Sequence, residues 1–211
     1  MPNDMIQTIL GGYIVGFLPT DNGGVIYQDD TGSICYCNKN AKLSRVDGPA
    51  VIKSNGQKIY FLNGLLHRVN GPAIEDPHGS FAWAQHGKLH REDGPAIHFA
   101  DIDLWYRNGQ CHRDGGPAVI MKDHCSIWYQ NGQRHRDGAP AVEWANGNTE
   151  WYCHGKLHRD GGPAKIIDGT EKWYRHGRLH RKNGPAVTRP NGIQEWWVND
   201  KFVDIRRPSV N

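Results

Sequence analysis

A histidine–arginine pair recurs six times along the chain, once in every 22 or 23 residues, and is the sequence feature best suited to chemistry. Histidine can bind a metal ion or act as a base, and arginine binds carboxylate and phosphate groups. The pairs could therefore form a metal array, a set of catalytic bases or a ligand-binding surface. They are His67-Arg68, His90-Arg91, His112-Arg113, His135-Arg136, His158-Arg159 and His180-Arg181.

A shared metal ion does not fit the spacing of equivalent histidines. If each repeat contributes at least two strands at about 4.8 Å per strand, equivalent residues lie roughly 10 Å apart. Zinc binds its ligands at about 2 Å, so successive histidines of this row cannot share one ion. Cys35 and Cys37 point to the same side of a strand, but no comparable pair recurs to complete a zinc site. We expect no metal and no cofactor.

Catalysis does not fit the repetition. Six copies of one base, each with the same neighbours, do not make an active site. The sequence contains no nucleophile elbow, Walker loop, HExxH helix or glycine-rich dinucleotide turn. We therefore expect no catalytic residue and no enzymatic activity.

Two roles remain open for the pairs. They could bind a ligand, and arginines beside tryptophans would suit phosphate groups, although the net charge of only +3 demands that any such affinity come from arrangement. They could instead be structural. Each arginine would then stack on the aromatic ring of a neighbouring repeat or pair with an acidic residue in the next turn. Acidic residues placed for such pairing are Asp93, Asp114, Asp137 and Asp160.

These pairs belong to a longer internal repeat, which predicts the fold. The repeat is marked by the prolines Pro49, Pro72, Pro95, Pro117, Pro140, Pro163 and Pro185, which define repeats 1 to 7 and lie 23, 23, 22, 23, 23 and 22 residues apart. A fixed period of this length indicates units stacked on one another. An aromatic residue precedes each histidine, and we expect these residues to form a structural ladder. They are Tyr60, Trp83, Trp105, Trp128, Trp151, Trp173 and, in a final half-repeat, Trp196.

Two turns per repeat can be predicted from residue type. A residue–glycine pair between two short runs favours a type I′ hairpin, which needs positive φ at both positions. The first position holds only asparagine or histidine: Asn63, His86, Asn108, Asn131, His154, His176 and Asn199. Two residues before each proline only Asx or glycine occurs, which predicts a second left-handed position. These residues are Asp47, Asn70, Asp93, Gly115, Gly138, Gly161 and Asn183.

The predicted fold is all-β, an elongated array of about seven antiparallel β-hairpin repeats of 22–23 residues. Residues 1–34 lack the motif and are predicted to form an N-terminal β cap, with strands at Tyr13–Leu18 and Val25–Tyr27. The array spans residues 35–203 and is followed by a C-terminal tail at 204–211.

The repeat resembles a known family. WYRNGQCHRDGGPA at Trp105–Ala118 and WYRHGRLHRKNGPA at Trp173–Ala186 are similar to the MORN-type repeat, in the variant of the YwqK antitoxin-like family. The LHRxDGPA portion also resembles repeats of phage and giant-virus proteins. The resemblance implies an elongated hairpin array that binds a partner and has no catalytic role.

The first functional expectation is therefore a protein–protein interaction module, a regulator or inhibitor of phage or bacterial origin. The alternative is a binder of a polyanion, such as nucleic acid, a nucleotide or an anionic lipid head group, through the six histidines, the six arginines and the tryptophan face. Uncovered strand edges at the array ends would also allow a dimer.

The location is expected to be the cytosol, which would be the host cytosol for a viral protein. Five cysteines at irregular spacing indicate free thiols in a reducing compartment. The N-terminal apolar run is too short and too broken by glycine for a secretory signal or a membrane span.

Overall fold

The computed structural model describes residues 13–208. The first 12 residues of the predicted cap, on which the expectation about a signal also rests, lie outside the described residues, as do residues 209–211 of the predicted tail. The chain divides into two compact units, residues 1–109 and 110–211, and each is described separately.

The first unit contains only β-strands within its described part. They are β1 Ile14–Pro19, β2 Val25–Asp29, β3 Ile34–Cys37, β4 Val51–Ile52, β5 Lys58–Ile59, β6 Phe61–Leu62, β7 Leu65–Leu66, β8 Ile74–Glu75, β9 Phe81–Ala82, β10 Ala84–Gln85, β11 Lys88–Leu89, β12 Ile97–Phe99, β13 Ile102–Leu104 and β14 Tyr106–Arg107. An antiparallel meander runs through β1, β2, β3, β4, β5, β8, β9, β12 and β13. The pairs β6–β7 and β10–β11 form separate short hairpins beside it.

The second unit repeats this arrangement. Its strands are β15 Gln110–Cys111, β16 Val119–Met121, β17 Cys125–Ile127, β18 Tyr129–Gln130, β19 Gln133–Arg134, β20 Val142–Trp144, β21 Thr149–Glu150, β22 Tyr152–Cys153, β23 Lys156–Leu157, β24 Lys165–Ile167, β25 Thr170–Lys172, β26 Tyr174–Arg175, β27 Arg178–Leu179, β28 Val187–Thr188, β29 Gln194–Val198 and β30 Lys201–Arg206. The meander runs through β16, β17, β20, β21, β24, β25, β28, β29 and β30. The side hairpins are β18–β19, β22–β23 and β26–β27.

The predicted all-β array of hairpin repeats is confirmed. Repeats 2, 3, 5, 6 and 7 each give strands to the meander and one side hairpin, and the histidine–arginine pair directly follows that hairpin. Between residues 13 and 208 there is no helix long and apolar enough to cross a membrane.

The side-hairpin turns have the predicted left-handed backbone. All seven residues expected at the first turn position have φ between 47° and 52°. The next position also has positive φ, at glycine in six turns and at Asp200 in the last. The sequence rule therefore holds at every turn, because asparagine and histidine tolerate this conformation better than most residues.

The second predicted left-handed position is right only where glycine stands. Gly115, Gly138 and Gly161 have positive φ, whereas Asp47, Asn70, Asp93 and Asn183 are absent from the positive-φ residues. At Asp47 and Asp93 the side chain instead accepts a hydrogen bond from the arginine two residues earlier, at 3.1 Å and 2.9 Å. At these two positions aspartate therefore acts through its side chain. The prediction of positive φ was wrong at Asp47, Asn70, Asp93 and Asn183.

The core of each repeat is centred on the alanine that follows the repeat-marking proline. Every one of these alanines has 0% of its surface exposed, and the valine that follows is buried in four repeats. A side chain no larger than a methyl group lets the loop lie directly against the meander. The alanines are Ala50, Ala73, Ala96, Ala118, Ala141, Ala164 and Ala186.

The N-terminal segment has a small core of its own. Cys35, Cys37, Leu43 and Val51 are buried together beneath β1–β5. The two predicted cap strands are present as β1 and β2. Cys35 and Cys37 are free thiols, as are the other three cysteines.

Candidate functional site

In repeats 2, 3, 5, 6 and 7 the arginine of the pair lies over the aromatic ring of its own repeat. In repeat 6 the Cζ atom of Arg159 is 3.9 Å from the centre of the Trp151 ring, and Nη1 donates a hydrogen bond to the Pro163 carbonyl at 3.2 Å. Gly162 lies against the guanidinium, because a Cβ there would be 2.8 Å from Cζ. The arginine therefore joins the hairpin to the loop that follows it.

The same arrangement recurs at equivalent positions. Ring distances are 3.9 Å for Arg68 on Tyr60, 4.4 Å for Arg91 on Trp83, 3.8 Å for Arg136 on Trp128 and 3.8 Å for Arg181 on Trp173. Arg113 makes the bond to its own Pro117 carbonyl at 3.1 Å. Stacking on a neighbouring repeat was expected, and for these pairs that expectation was wrong. The arginine follows its own aromatic residue by eight positions, and the hairpin folds it back onto that ring.

All seven ladder aromatics, including Trp105, are half-buried. Trp196 is covered by Arg206 at 4.8 Å, although no histidine–arginine pair follows it. Repeat 1 adds an eighth aromatic residue to the ladder, Tyr36, which the sequence pattern missed. Arg45 lies 4.2 Å from the centre of the Tyr36 ring. The turn between these two residues is one residue longer than in the other repeats, so Tyr36 lies nine positions before its arginine and not eight.

The histidine of each pair joins one repeat to the next. In repeat 5, Nδ1 of His135 accepts a hydrogen bond of 3.2 Å from the backbone amide of His154, the first turn residue of repeat 6. Ser44 replaces the histidine in repeat 1, and its hydroxyl oxygen accepts the equivalent bond from Asn63 at 3.1 Å. The other joins are His67 with His86, His90 with Asn108, His112 with Asn131, His158 with His176 and His180 with Asn199, at 3.0–3.2 Å.

This hydrogen bond fixes the tautomer of the imidazole ring. An imidazole that accepts at Nδ1 carries its hydrogen on Nε2. In repeats 4, 5 and 6 that Nε2 lies 3.1, 3.2 and 3.6 Å from the carboxylate two residues later, at Asp114, Asp137 and Asp160. The sequence had assigned these carboxylates to arginine. Of the residues expected to pair with arginine, Asp93 does so, with Arg91.

Repeat 7 lacks the acidic partner. Lys182 stands where repeats 4 to 6 have aspartate, and His180 Nε2 is buried with no hydrogen-bond partner among the described residues. The Nε1 atom of Trp173, in the same repeat, is likewise buried and unpartnered within that part of the chain. In repeat 7, two donors are therefore buried without a partner among the described residues.

Three histidines of the row lie against a turn histidine of the following repeat. Ring centres are 4.5 Å apart for His67 and His86, 4.4 Å for His135 and His154, and 4.6 Å for His158 and His176. Burial lowers the pKa of His67, and the neighbouring His86 lowers it further. Reasoning from equivalent positions alone missed these pairs, although the turn histidines were themselves evident in the sequence.

Open slots separate the loops of successive repeats. The slot between repeats 1 and 2 has a volume of about 580 Å³ and includes Tyr60, Arg45 and Arg68 in its walls. The slot between repeats 4 and 5 measures about 250 Å³, and the slot between repeats 6 and 7 about 410 Å³. Eight of the twelve predicted binding residues line these three slots: His67, Arg68, Arg113, His135, Arg136, Arg159, His180 and Arg181.

The residue after each arginine forms the tip of its loop and is exposed in every repeat. This loop-tip position changes character along the chain. It is apolar in repeats 1 and 2, acidic in repeats 3 to 6 and basic in repeat 7. The tips are Val46, Val69, Glu92, Asp114, Asp137, Asp160 and Lys182.

Comparison with known proteins adds no assignment, because neither a protein-family model nor a curated protein sequence matches this chain.

Proposed function

We propose that this chain is a non-enzymatic, MORN-like repeat protein that binds another protein through its loop tips. The observation that carries the proposal is the contrast within each loop. The histidine, arginine and aromatic residue are engaged in holding the repeats together, whereas the loop tip is exposed and is valine, an acidic residue or lysine according to the repeat.

The slot between repeats 1 and 2 is the best candidate for the centre of the interface. Its rim carries Val46 and Val69, which are 91% and 60% exposed, and its wall includes Tyr60 and Leu62. Exposed apolar side chains around an open slot suit an apolar side chain of a protein partner better than a phosphate.

The acidic tips of repeats 3 to 6 support a protein partner in a second way. On these loops the carboxylates are well exposed, Asp137 at 90% for example, while Arg91, Arg136 and Arg159 lie over aromatic rings. A surface whose outermost charges are negative repels a uniform polyanion, and a protein can match a mixed pattern.

The remaining functional expectations rest on the sequence and on the resemblance. A role as regulator or inhibitor, a phage or bacterial origin and a cytosolic location stay predictions, as does a dimer through the array ends.

The proposal is tested by immobilising the full chain and exposing it to lysate, followed by washes of increasing salt. We expect a stoichiometric protein that survives moderate salt, because apolar contacts are little affected by ionic strength. Recovery of nucleic acid or lipid alone, removed by salt, contradicts the proposal, since phosphate contacts weaken steeply with ionic strength.

The slot between repeats 6 and 7 favours a second function, the binding of an anionic group. Its walls include Arg159, Arg175, Arg181 and Lys182 against the single carboxylate of Asp160. The two unpartnered buried donors of His180 and Trp173 belong to the same walls. An anion would take the place that the aspartate carboxylate occupies beside the equivalent histidine of repeat 5.

Inorganic phosphate titrated into the protein tests this second function. We expect the indole NH resonance of Trp173 to shift with phosphate, and the shift to disappear in Lys182→Asp, which restores the residue of repeats 4 to 6. An equal shift in both proteins, or none in either, contradicts anion binding at this slot.

A further inference from the structure

We propose that His135, Cys153 and His154 form a binding site for a transition-metal ion of the Zn²⁺ type. One ring nitrogen of each histidine and the sulfur of Cys153 all lie within 4.8 Å of one another. This inference is independent of the partner-binding function proposed above. It also revises the expectation of no metal, which considered only equivalent histidines and not a turn histidine beside them.

The join between repeats 5 and 6 brings the three residues together. His135 directly follows β19, Cys153 ends β22, and His154 is the first residue of the next turn. The amide of His154 is fixed on His135 by the 3.2 Å hydrogen bond of the join. The backbone of this cluster is therefore held in place without the ion.

The distances are within reach of a metal site after small side-chain rotations. Ligands at about 2.0–2.3 Å in tetrahedral geometry lie roughly 3.3–3.8 Å from each other, about 1 Å closer than the upper limit of this cluster. The two rings are now stacked at 14°, so their lone pairs do not converge. His154 is exposed on a turn, and its ring has room to tilt toward a shared ion.

The donor set selects the kind of metal. One thiolate and two imidazoles suit Zn²⁺ and other borderline or soft ions, and they do not suit Mg²⁺ or Ca²⁺. Three protein ligands leave one position of a tetrahedral ion for water or a fourth residue. Asp137 is the nearest candidate, because its carboxylate lies 3.2 Å from Nε2 of His135.

Metal binding changes the protonation of Cys153 and the hydrogen bonding of His135. The Cys153 thiol releases its proton to solvent as the sulfur–metal bond forms. A neutral imidazole has one lone pair, so the lone pair that His135 gives to the His154 amide is lost whichever nitrogen binds the ion. The metal–ligand bonds thus replace a hydrogen bond of the join.

The other histidine pairs provide internal controls. The residue before the turn histidine is Cys153 here, but it is Gln85 beside the His67–His86 pair and Arg175 beside the His158–His176 pair. The three-ligand set therefore occurs at only one of these joins. The same comparison supplies substitutions that the fold already accepts elsewhere.

The test is a Co²⁺ titration of the full, reduced chain, followed by competition with Zn²⁺. We expect one Co²⁺ per chain with a thiolate charge-transfer band, displaced by Zn²⁺. Cys153→Gln and His154→Asn carry the residues found at Gln130 and Asn131 of repeat 5, and should keep the parent's thermal melting curve. Each should bind at least about tenfold more weakly, since losing even an outer-shell partner costs about that much.

A gain-of-function variant provides a second test. Arg175→Cys places a thiol beside His158 and His176, and we expect it to add a second Co²⁺ with the same charge-transfer band. Absence of that band in the parent chain, or an undiminished band in Cys153→Gln, overturns the proposal. So does an Arg175→Cys chain that folds as the parent does and binds only one ion.

Discussion

The backbone amide of Asn131 donates a hydrogen bond to Nδ1 of His112, 3.1 Å away. This bond links the turn of repeat 5 to the residue that follows β15 in repeat 4. The next turn residue, Gly132, donates from its own amide to the Cys111 carbonyl at 2.9 Å. A side chain that recurs with the period of the chain is thus explained by a task that recurs at every join.

Replacement of His112 by alanine tests the join. We expect a loss of about 1–2 kcal/mol in the free energy of unfolding, because one hydrogen bond and a half-buried ring are removed. His112→Ser should lose less, since Ser44 accepts the equivalent bond in repeat 1. Urea unfolding measures both. Equal losses in the two variants would show that the acceptor does not matter.

Acid should loosen the join that His67 makes. Its pKa lies below the ordinary value of 6.5, because burial and the neighbouring His86 oppose the charged form. The unfolded chain therefore takes up a proton at a pH where the folded chain does not. This contribution to stability is complete above the unfolded pKa and is lost as the pH falls through the lower folded pKa.

The measurement for His67 is the urea midpoint at about pH 7.5 and about pH 5, on either side of the histidine range. The parent chain should lose more stability on acidification than His67→Ser, which has no titrating group at this join. The same loss in both chains would place the pH dependence elsewhere.

Arg159→Gln should destabilise the fold without changing its shape. The substitution removes the stack on Trp151 and the bond to the Pro163 carbonyl, which together suggest a loss of about 1–2 kcal/mol. Thermal melting combined with circular dichroism measures it. Unchanged stability would show that Arg159 does not hold the fold together, and a ligand-binding role would then account for it better.

The first position of the side-hairpin turn should accept only residues that tolerate positive φ. Asn131 has φ of 48°, so we expect Asn131→Val to cost roughly 1–2 kcal/mol or more. Asn131→His should be close to neutral, because histidine occupies this position at His86, His154 and His176. Differential scanning calorimetry compares the two, and equal melting temperatures would contradict the turn assignment.

Local backbone chemistry could be predicted from the sequence. Asparagine or histidine at the first position identified all seven hairpin turns, with glycine following in six and Asp200 in the last, since few other residues tolerate positive φ. The same rule failed at Asp47 and Asp93, where a carboxylate has a second use as an acceptor for arginine. Residue type alone does not distinguish these two uses, because both favour Asx.

Side-chain partners across the repeat were harder to predict. The distance from Arg159 back to Trp151 depends on how the loop folds over its own hairpin, and Gly162 makes room for that return. Repeat 5 accommodates Ala139 at the equivalent position, so the glycine pattern alone did not reveal the close approach. The aromatic position of repeat 1 was missed at Tyr36 for a simpler reason, the additional residue in its turn.

The candidate metal cluster needed the register between repeats. His135 and His154 belong to different positions of the motif, and a comparison of equivalent residues never places them together. Only the offset of one turn onto the preceding hairpin brings their rings to 4.4 Å.

The central claim is that repeated residues hold the fold while loop tips bind a protein. The most direct measurement compares the protein captured from lysate by the parent chain and by the double variant Val46→Asp/Val69→Asp. Aspartate already occupies the equivalent tip in repeats 4 to 6, so the variant should melt as the parent does. We expect the captured protein to be lost in the variant. Equal capture by both chains, or no captured protein with the parent, would contradict the claim.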